Sequence, residues 1–231
     1  MTESSGVLYL VSTPIGNPDD LTSRARRILG EVDFVVCEER RIGSTLLAHY
    51  NIAKPLVELN EHTEPNAVPE LVAQLLQGAS FALISDHGTP VVADPGALLV
   101  NDAVRAGIRV VPIPGASAIL AALVASGLPA RRFRFLGHLP PNAELRRRAL
   151  RELKETRETL VLLDAPYRLM PLLKSLLAEF GDARQVAVAC NLTLPDERIV
   201  RGTIADVVKE FSREPFKGEF VVVVEGTKSK S

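Results

Sequence analysis

Val7-Leu8-Tyr9-Leu10-Val11-Ser12-Thr13-Pro14-Ile15-Gly16 is a short apolar run halted by a proline and a glycine. With no charged residue interrupting it, the run reads as a strand, Val7–Ser12, covered on both faces. Such strands belong to parallel sheets flanked by helices. Outward from it the pattern recurs. Strands are predicted at Phe34–Cys37, Pro55–Leu59, Phe81–Ser85 and Arg109–Ile113. Between them, helices are predicted at Asp19–Leu29, stopped by Gly30, and at Ile42–Tyr50. Two more are predicted at Ala67–Leu76, closed by Gly78, and at Gly96–Arg105, closed by Gly107. In the first of these, Leu21, Ala25, Ile28 and Leu29 fall on one face, as helical spacing requires. Alternating strands and helices make an α/β domain, and ligands of its parallel sheet sit beyond the carboxyl ends of the strands. Three of those ends carry Gly/Pro-rich loops, after Ser12, Ser85 and Val111.

Ala116–Ser126 reads as a small-residue helix, after which Gly127 and Pro129 break the pattern and Arg131, Arg132 and Arg134 change the composition. We divide the chain into an N-terminal α/β domain, 1–115, and a C-terminal one, 116–231. In the second, strands are predicted at Phe133–Leu136, Thr159–Leu163, Gln185–Cys190, Glu197–Gly202 and Glu219–Glu225. Its helices are predicted at Ala143–Lys154, Met170–Phe180 and Ile204–Phe211. Strands here follow one another without a regular helix between each, so this sheet is mixed. The tail 227–231 is polar and expected to fray.

The 231 residues are 46% hydrophobic and 24% charged, which argues against disorder. A net charge of −1 excludes a molecule-wide electrostatic grip on nucleic acid and leaves only a local patch. Cys37 and Cys190 end apolar runs and read as buried thiols in a reducing compartment. His49, His62, His87 and His138 are scattered, so no metal site is expected. No targeting segment stands out, and no apolar run approaches the roughly 20 residues of a membrane span. A cytoplasmic protein with no membrane partner is the expectation.

The loop Ser12-Thr13-Pro14-Ile15-Gly16-Asn17 lacks the three glycines of a dinucleotide cradle, and alone it reads as a plain strand-to-helix turn. Ser85-Asp86-His87-Gly88-Thr89-Pro90, followed by Asp94-Pro95-Gly96, is more telling. Glycine lets a ligand approach the backbone, and proline stiffens the loop at little entropic cost. Asp86 therefore reads as a ligand residue, and Asp94 as the cap of the helix beginning at Pro95. In Val111-Pro112-Ile113-Pro114-Gly115-Ala116-Ser117-Ala118, the small residues suit a flat ligand and tight helix–sheet packing equally well.

Taken together, these motifs in this order resemble the tetrapyrrole methylase superfamily. Within it they are most similar to the branch that methylates ribose 2′-hydroxyls of small-subunit ribosomal RNA. The resemblance also rests on Leu8-Tyr9-Leu10-Val11, Cys37-Glu38-Glu39, Glu61-His62 and Gly107-Ile108-Arg109-Val110-Val111-Pro112. Ala122-Leu123-Val124-Ala125-Ser126-Gly127-Leu128-Pro129, Arg201-Gly202-Thr203 and Lys217-Gly218-Glu219-Phe220 complete it. It implies two α/β domains with S-adenosylmethionine in the cleft between them, a homodimer, and ribosomal RNA or the small ribosomal subunit as partner. Carried over to this chain, it implies donor contacts at Pro14, Asp86, Gly88, Thr89, Ser117, Ala118, Leu163 and Cys190. It further implies a short form without the C-terminal extension of the full-length enzymes.

The sequence departs from that branch at His87, where a small residue is usual, and at Leu163-Asp164-Ala165-Pro166-Tyr167-Arg168. It departs again at Cys190-Asn191-Leu192-Thr193-Leu194-Pro195, and these departures gather on the acceptor side. Methyl transfer is an in-line displacement, and a ribose hydroxyl is a weak nucleophile that wants a base. Glu38, Glu61, His62 and Asp86 are candidates, and we assign the catalytic role to Glu61 and His62. Against these stand a solvated strand-end pair for Glu38 and Glu39 and a loop-surface residue for His62. Arg146, Arg147, Arg148 and Arg151 share one helix with Glu144 and Glu152. They read as a solvated face ahead of a phosphate-tracking patch. A methyltransferase acting on a small-molecule or tetrapyrrole-like acceptor, or a catalytically silent donor-binding paralogue, is the alternative to an RNA enzyme.

Overall fold

The computed structural model describes residues 5–227, and the chain forms two compact units, Met1–Ser117 and Ala118–Ser231. The first has five strands: β1 (Val7–Val11), β2 (Phe34–Cys37), β3 (Leu56–Glu58), β4 (Phe81–Ile84) and β5 (Arg109–Ile113). They lie in the order β3-β2-β4-β1-β5, and every neighbouring pair is parallel. The helices are α1 (Ser23–Glu31), α2 (Arg40–His49), α3 (Glu64–Leu76) and α4 (Ala97–Arg105). Side chains alternate across the sheet as the pleat requires. Phe81 and Leu83 of β4 join Val68, Leu71 and Leu75 of α3 and Leu99 and Ala103 of α4 in one core. Ala82 and Ile84 point the other way, into a second core with Ala25, Ile28 and Leu29 of α1 and Leu47 of α2. Both faces are thus buried, which is why these strands are apolar throughout.

The second unit contains α5 (Ala118–Ala125), β6 (Phe133–Gly137), α6 (Ala143–Glu152), β7 (Thr159–Leu163) and α7 (Leu169–Phe180). It continues with β8 (Gln185–Cys190), β9 (Arg198–Thr203), α8 (Ile204–Arg213) and β10 (Phe220–Val224). The sheet runs β6-β7-β10-β8-β9. Only β6 and β7 are parallel; β10 runs antiparallel to both β7 and β8, and β8 to β9. The α/β class, with one parallel and one mixed sheet, is the architecture the sequence predicts. All five residues of β10 are buried, as a central strand demands.

The elements differ from expectation mainly at helix ends. Asp19–Leu29 is not one helix: a single 3-10 turn, Pro18–Asp20, is followed by a break at Leu21, and the Thr22 side chain then caps α1 by accepting from the Ala25 N–H. Gly30 lies inside α1 and does not stop it. Asp94 does not cap α4. The first residue before that helix is Gly96, and the cap comes from Glu64 on α3. One carboxylate oxygen there accepts from the N–H groups of Gly96 and Leu98, both at 3.0 Å, and of Leu99 at 3.5 Å. Of the polar tail, Thr227 is tied down by its N–H donating to the Thr156 carbonyl at 2.8 Å, and residues 228–231 lie outside the described part.

Candidate active site

The carboxyl ends of β1, β4 and β5 are neighbours because the strands are; side chains of the first loop hold the loop after β4, and Thr89 of that loop holds the one after β5. The Thr13 hydroxyl, fully buried, donates to the Ser85 carbonyl at 3.0 Å and accepts from the Gly88 N–H at 3.1 Å. The Thr13 N–H returns a bond to the Gly88 carbonyl at 2.9 Å. Ser12 and Thr89 share a hydroxyl–hydroxyl bond of 3.1 Å, and Thr89 donates onward to the Ala116 carbonyl at 3.1 Å. Ser85 closes its own turn by bonding both the N–H and the carbonyl of His87. A buried hydroxyl with two partners is a fixed peg, and Thr13 is that peg for the loop after β4. Nothing in the local spacing announced it; only its position one residue past a buried strand end could have.

Two glycines allow the close approach. Gly115 passes so near β1 that a Cβ there would sit 2.8 Å from the Ser12 Cβ. Gly88 holds a φ of 86°, in the left-handed region, and a Cβ would meet Ile15 at 3.1 Å. Further along the loop, Val91 has a φ of 76°, a costly conformation for a β-branched residue. Strain of this kind is held only where surroundings impose it, and it gathers at ligand sites.

The electrostatics are acidic. Burial raises the carboxyl of Asp86 above the ordinary aspartate range, with Glu39 and Asp94 adding to the rise; the Glu39 N–H, at 3.4 Å from Oδ1, and His87 oppose it. Glu38 is raised too, by burial first and then by Asp86 and Asp94, with Glu39 and Glu61 contributing less. The two thiols are inert by contrast. Burial pushes Cys37 and Cys190 each up to about 11, so both are neutral at physiological pH.

Among the predicted site residues, the first unit brings together Pro14, Asp86, Gly88, Thr89 and Ser117. Pro14 and Asp86 line one cavity, and the Ser117 Cα lies 3.9 Å from where a Gly88 Cβ would be. Ala118 opens α5 in the second unit. Leu163 and Cys190 end β7 and β8 at the same end of the mixed sheet, on either side of β10, where they pair with Val221 and Phe220. The Cys190 side chain is fully buried in that core. Glu61 and His62 are exposed in the turn between β3 and α3, where Asn60 holds the His62 N–H through its side-chain oxygen at 3.1 Å.

The arginines of α6 divide by role. Arg146 is buried, donating to Ser175 at 2.9 Å and to the carbonyls of Pro140 and Pro141, so it anchors the helix and faces no ligand. Arg147 pairs with Glu179 at 2.6 Å, and Arg151 reaches the same carboxylate at 3.8 Å. Arg148 pairs with Glu152 at 3.8 Å. The helix is a balanced face, as its composition suggested, with one arginine turned inward.

A parallel sheet with a pegged, glycine-lined and acidic strand-end crevice defines a class: α/β proteins that bind a small polar ligand at that crevice. A family model of tetrapyrrole (corrin/porphyrin) methylases matches residues 7–208. The chain belongs to this family and is an S-adenosylmethionine-dependent methyltransferase. It is 42% identical over 228 residues to ribosomal RNA small subunit methyltransferase I of Halalkalibacterium halodurans, covering 99% of this chain and 78% of the relative. It is 43% identical over 223 residues to the protein of that name from Xylella fastidiosa, covering 96% and 82%. Among solved structures, uroporphyrin-III-C-methyltransferase from Thermus thermophilus matches with a TM-score of 0.65 and 28% identity, over 95% of this chain and 94% of that one. A diphthine synthase shares the fold at a TM-score of 0.73 and 20% identity, over 96% and 90%.

Proposed function

We propose that the chain transfers the methyl group of S-adenosylmethionine to a ribose 2′-hydroxyl of small-subunit ribosomal RNA. The observation that carries the acceptor is the similarity, at about 40% identity and over nearly the whole chain, to relatives bearing the small-subunit methyltransferase name. Similarity at that level over nearly the whole chain favours the same acceptor over a tetrapyrrole.

We assign the donor to Pro14, Asp86, Gly88, Thr89 and Ser117. The donor supplies a methyl group on a sulfonium and carries a second positive charge on its ammonium. Carboxyls raised by burial and by one another, as Asp86 and Glu38 are, are relieved by such a ligand, so the site fits it in charge. Gly88 and Gly115 let the three strand-end loops pack closely together, and the donor is placed on the surface those loops form. These residues fix the donor; alignment of hydroxyl and methyl then supplies much of the rate. Glu61 and His62, exposed beside the strand ends, are assigned to the acceptor hydroxyl and its proton. The reading includes a homodimer and a cytoplasmic location. No helix among the described residues is long and apolar enough to cross a membrane.

Labelled donor is to be incubated with purified small subunits and with their naked RNA, followed by mass spectrometry of the nucleosides. One 2′-O-methylated nucleoside is expected, with Glu61→Gln and His62→Ala lowering kcat and leaving donor affinity unchanged. Donor binding without transfer to either RNA form overturns the acceptor.

A further inference from the structure

A cavity of about 360 Å³ opens in the first unit between the loop after β1 and the outer face of α2. Its mouth is formed by Pro14, Asp86 and His87. Its floor is apolar, with Ile42 and Leu46 one helical turn apart, and its far wall is the His49–Tyr50 pair, whose rings meet edge to face at 4.8 Å. Tyr50 is fixed there by its hydroxyl, which donates to the Pro18 carbonyl at 2.5 Å. Arg41 lines the same cavity. It is exposed, and among the described residues no carboxylate pairs with it.

The cavity shares only Pro14 and Asp86 with the donor assignment; Gly88, Thr89 and Ser117 do not line it. Its charge also differs from that of the acidic cluster. The donor, with two positive charges and one carboxylate, is a net cation and suits Glu38, Asp86 and Asp94, whereas the Arg41 guanidinium adds a site for an anion. An apolar floor, an aromatic end and a free guanidinium are the groups that hold one nucleotide of a single-stranded RNA. The volume lies within the range of small-ligand pockets.

We propose that this cavity receives the acceptor nucleotide, with its base over Ile42 and Leu46 against Tyr50, its phosphate on Arg41 and its ribose at the Pro14–Asp86 mouth. The proposal rests on the RNA reading above and sharpens it to one pocket.

Two variants test it, Arg41→Ala and Thr45→Phe. Thr45 also lines the cavity but is exposed, so a larger side chain there fills the space without entering the core. Three measurements apply: donor affinity by calorimetry, KM and kcat for small-subunit RNA, and amide shifts on adding each of the four nucleoside 5′-monophosphates. The expected result is unchanged donor affinity, KM raised at least about tenfold in both variants, and monophosphate shifts confined to residues 41–50 and 86–87 that vanish in Thr45→Phe. Wild-type KM in a folded Thr45→Phe overturns the pocket and leaves the RNA reading standing. Loss of donor affinity in that variant places the donor in this cavity and also overturns it. If RNA is not methylated at all while monophosphates still shift α2, the pocket stands as a nucleotide site and the RNA reading falls. If Thr45→Phe does not fold, Arg41→Ala and the wild-type shifts decide, and monophosphates that leave 41–50 unmoved overturn the proposal.

Discussion

Asp86 sets stability against binding. Its native carboxyl, like that of Glu38, holds its proton more tightly than an unfolded one would. The sign follows: the contribution favours the fold at low pH and is lost as pH rises through the raised native value. Asp86→Asn removes this cost, so stability at neutral pH is expected to hold or rise by less than about 1 kcal/mol. The same change removes a charged hydrogen-bond acceptor worth about 1.5–3 kcal/mol to the donor, a loss of roughly 10- to 100-fold in affinity. Calorimetry and urea unfolding on one preparation check both. Wild-type donor affinity should also weaken on acidification at a pH above the ordinary aspartate range, and Asp86→Asn should lack that limb. Asp164 tells the opposite story. It is buried, with one oxygen bonded to the Ala165 N–H at 2.8 Å and paired with Arg168 at 3.0 Å, and the other without a hydrogen-bond partner. Arg168→Met strands that charge and should cost about 3–5 kcal/mol, whereas Asp164→Leu with Arg168→Met should recover most of it. Urea midpoints of the three proteins decide.

Helix ends are where elements acquire partners that lie far off in sequence. Glu64 caps α4 across a gap of more than thirty residues, and Glu64→Ala should cost about 1–2 kcal/mol by thermal unfolding. Glu64→Gln keeps an acceptor oxygen and should lose less. Because Gly96 ends the loop that begins at Ser85, the alanine variant should also bind donor more weakly. On α6, Arg146→Glu buries a charge without a partner and should unfold the second unit, while Arg148→Glu, on the exposed face, should change stability by no more than about 0.5 kcal/mol. Circular dichroism separates the two. These same places mark where sequence reading stopped. The strands were legible because burial on two faces leaves uninterrupted apolar runs such as Phe81–Ile84. The strand-end loops were legible because Gly88 and Gly115 have few other uses. Thr22 as a cap, Glu64 instead of Asp94, and the inward turn of Arg146 were not, because each depends on a neighbour that only the fold supplies. The cavity beside α2 was hidden likewise: Arg41, Thr45 and His49 are an ordinary exposed helical face until the loop after β1 closes over them.

At the scale of the molecule, each unit carries its own core, and the two sheets are completed in different ways. In the first, β1 lies inside the sheet, between β4 and β5, and is the first strand made. In the second, the central strand is β10, the last in the chain, with Val222 fully buried between Leu162 and Val188. Val222→Asp should cost more than about 4 kcal/mol. Amide exchange should then show protection lost from 118–224 and kept across β1, β4 and β5. The late arrival of β10 has a consequence for how the protein is made. Until it is synthesised, the β6–β7 and β8–β9 pairs cannot join, and besides its outer edge each would carry a bare inner one, at β7 and at β8. Those edges are apolar and hydrogen-bonding, and they are open to any other strand, including one from a neighbouring nascent chain. The hazard runs from the making of Cys190 to the making of Val224. Slow translation across that stretch lengthens it, and fast translation or a chaperone that covers the edges of β7 and β8 shortens it.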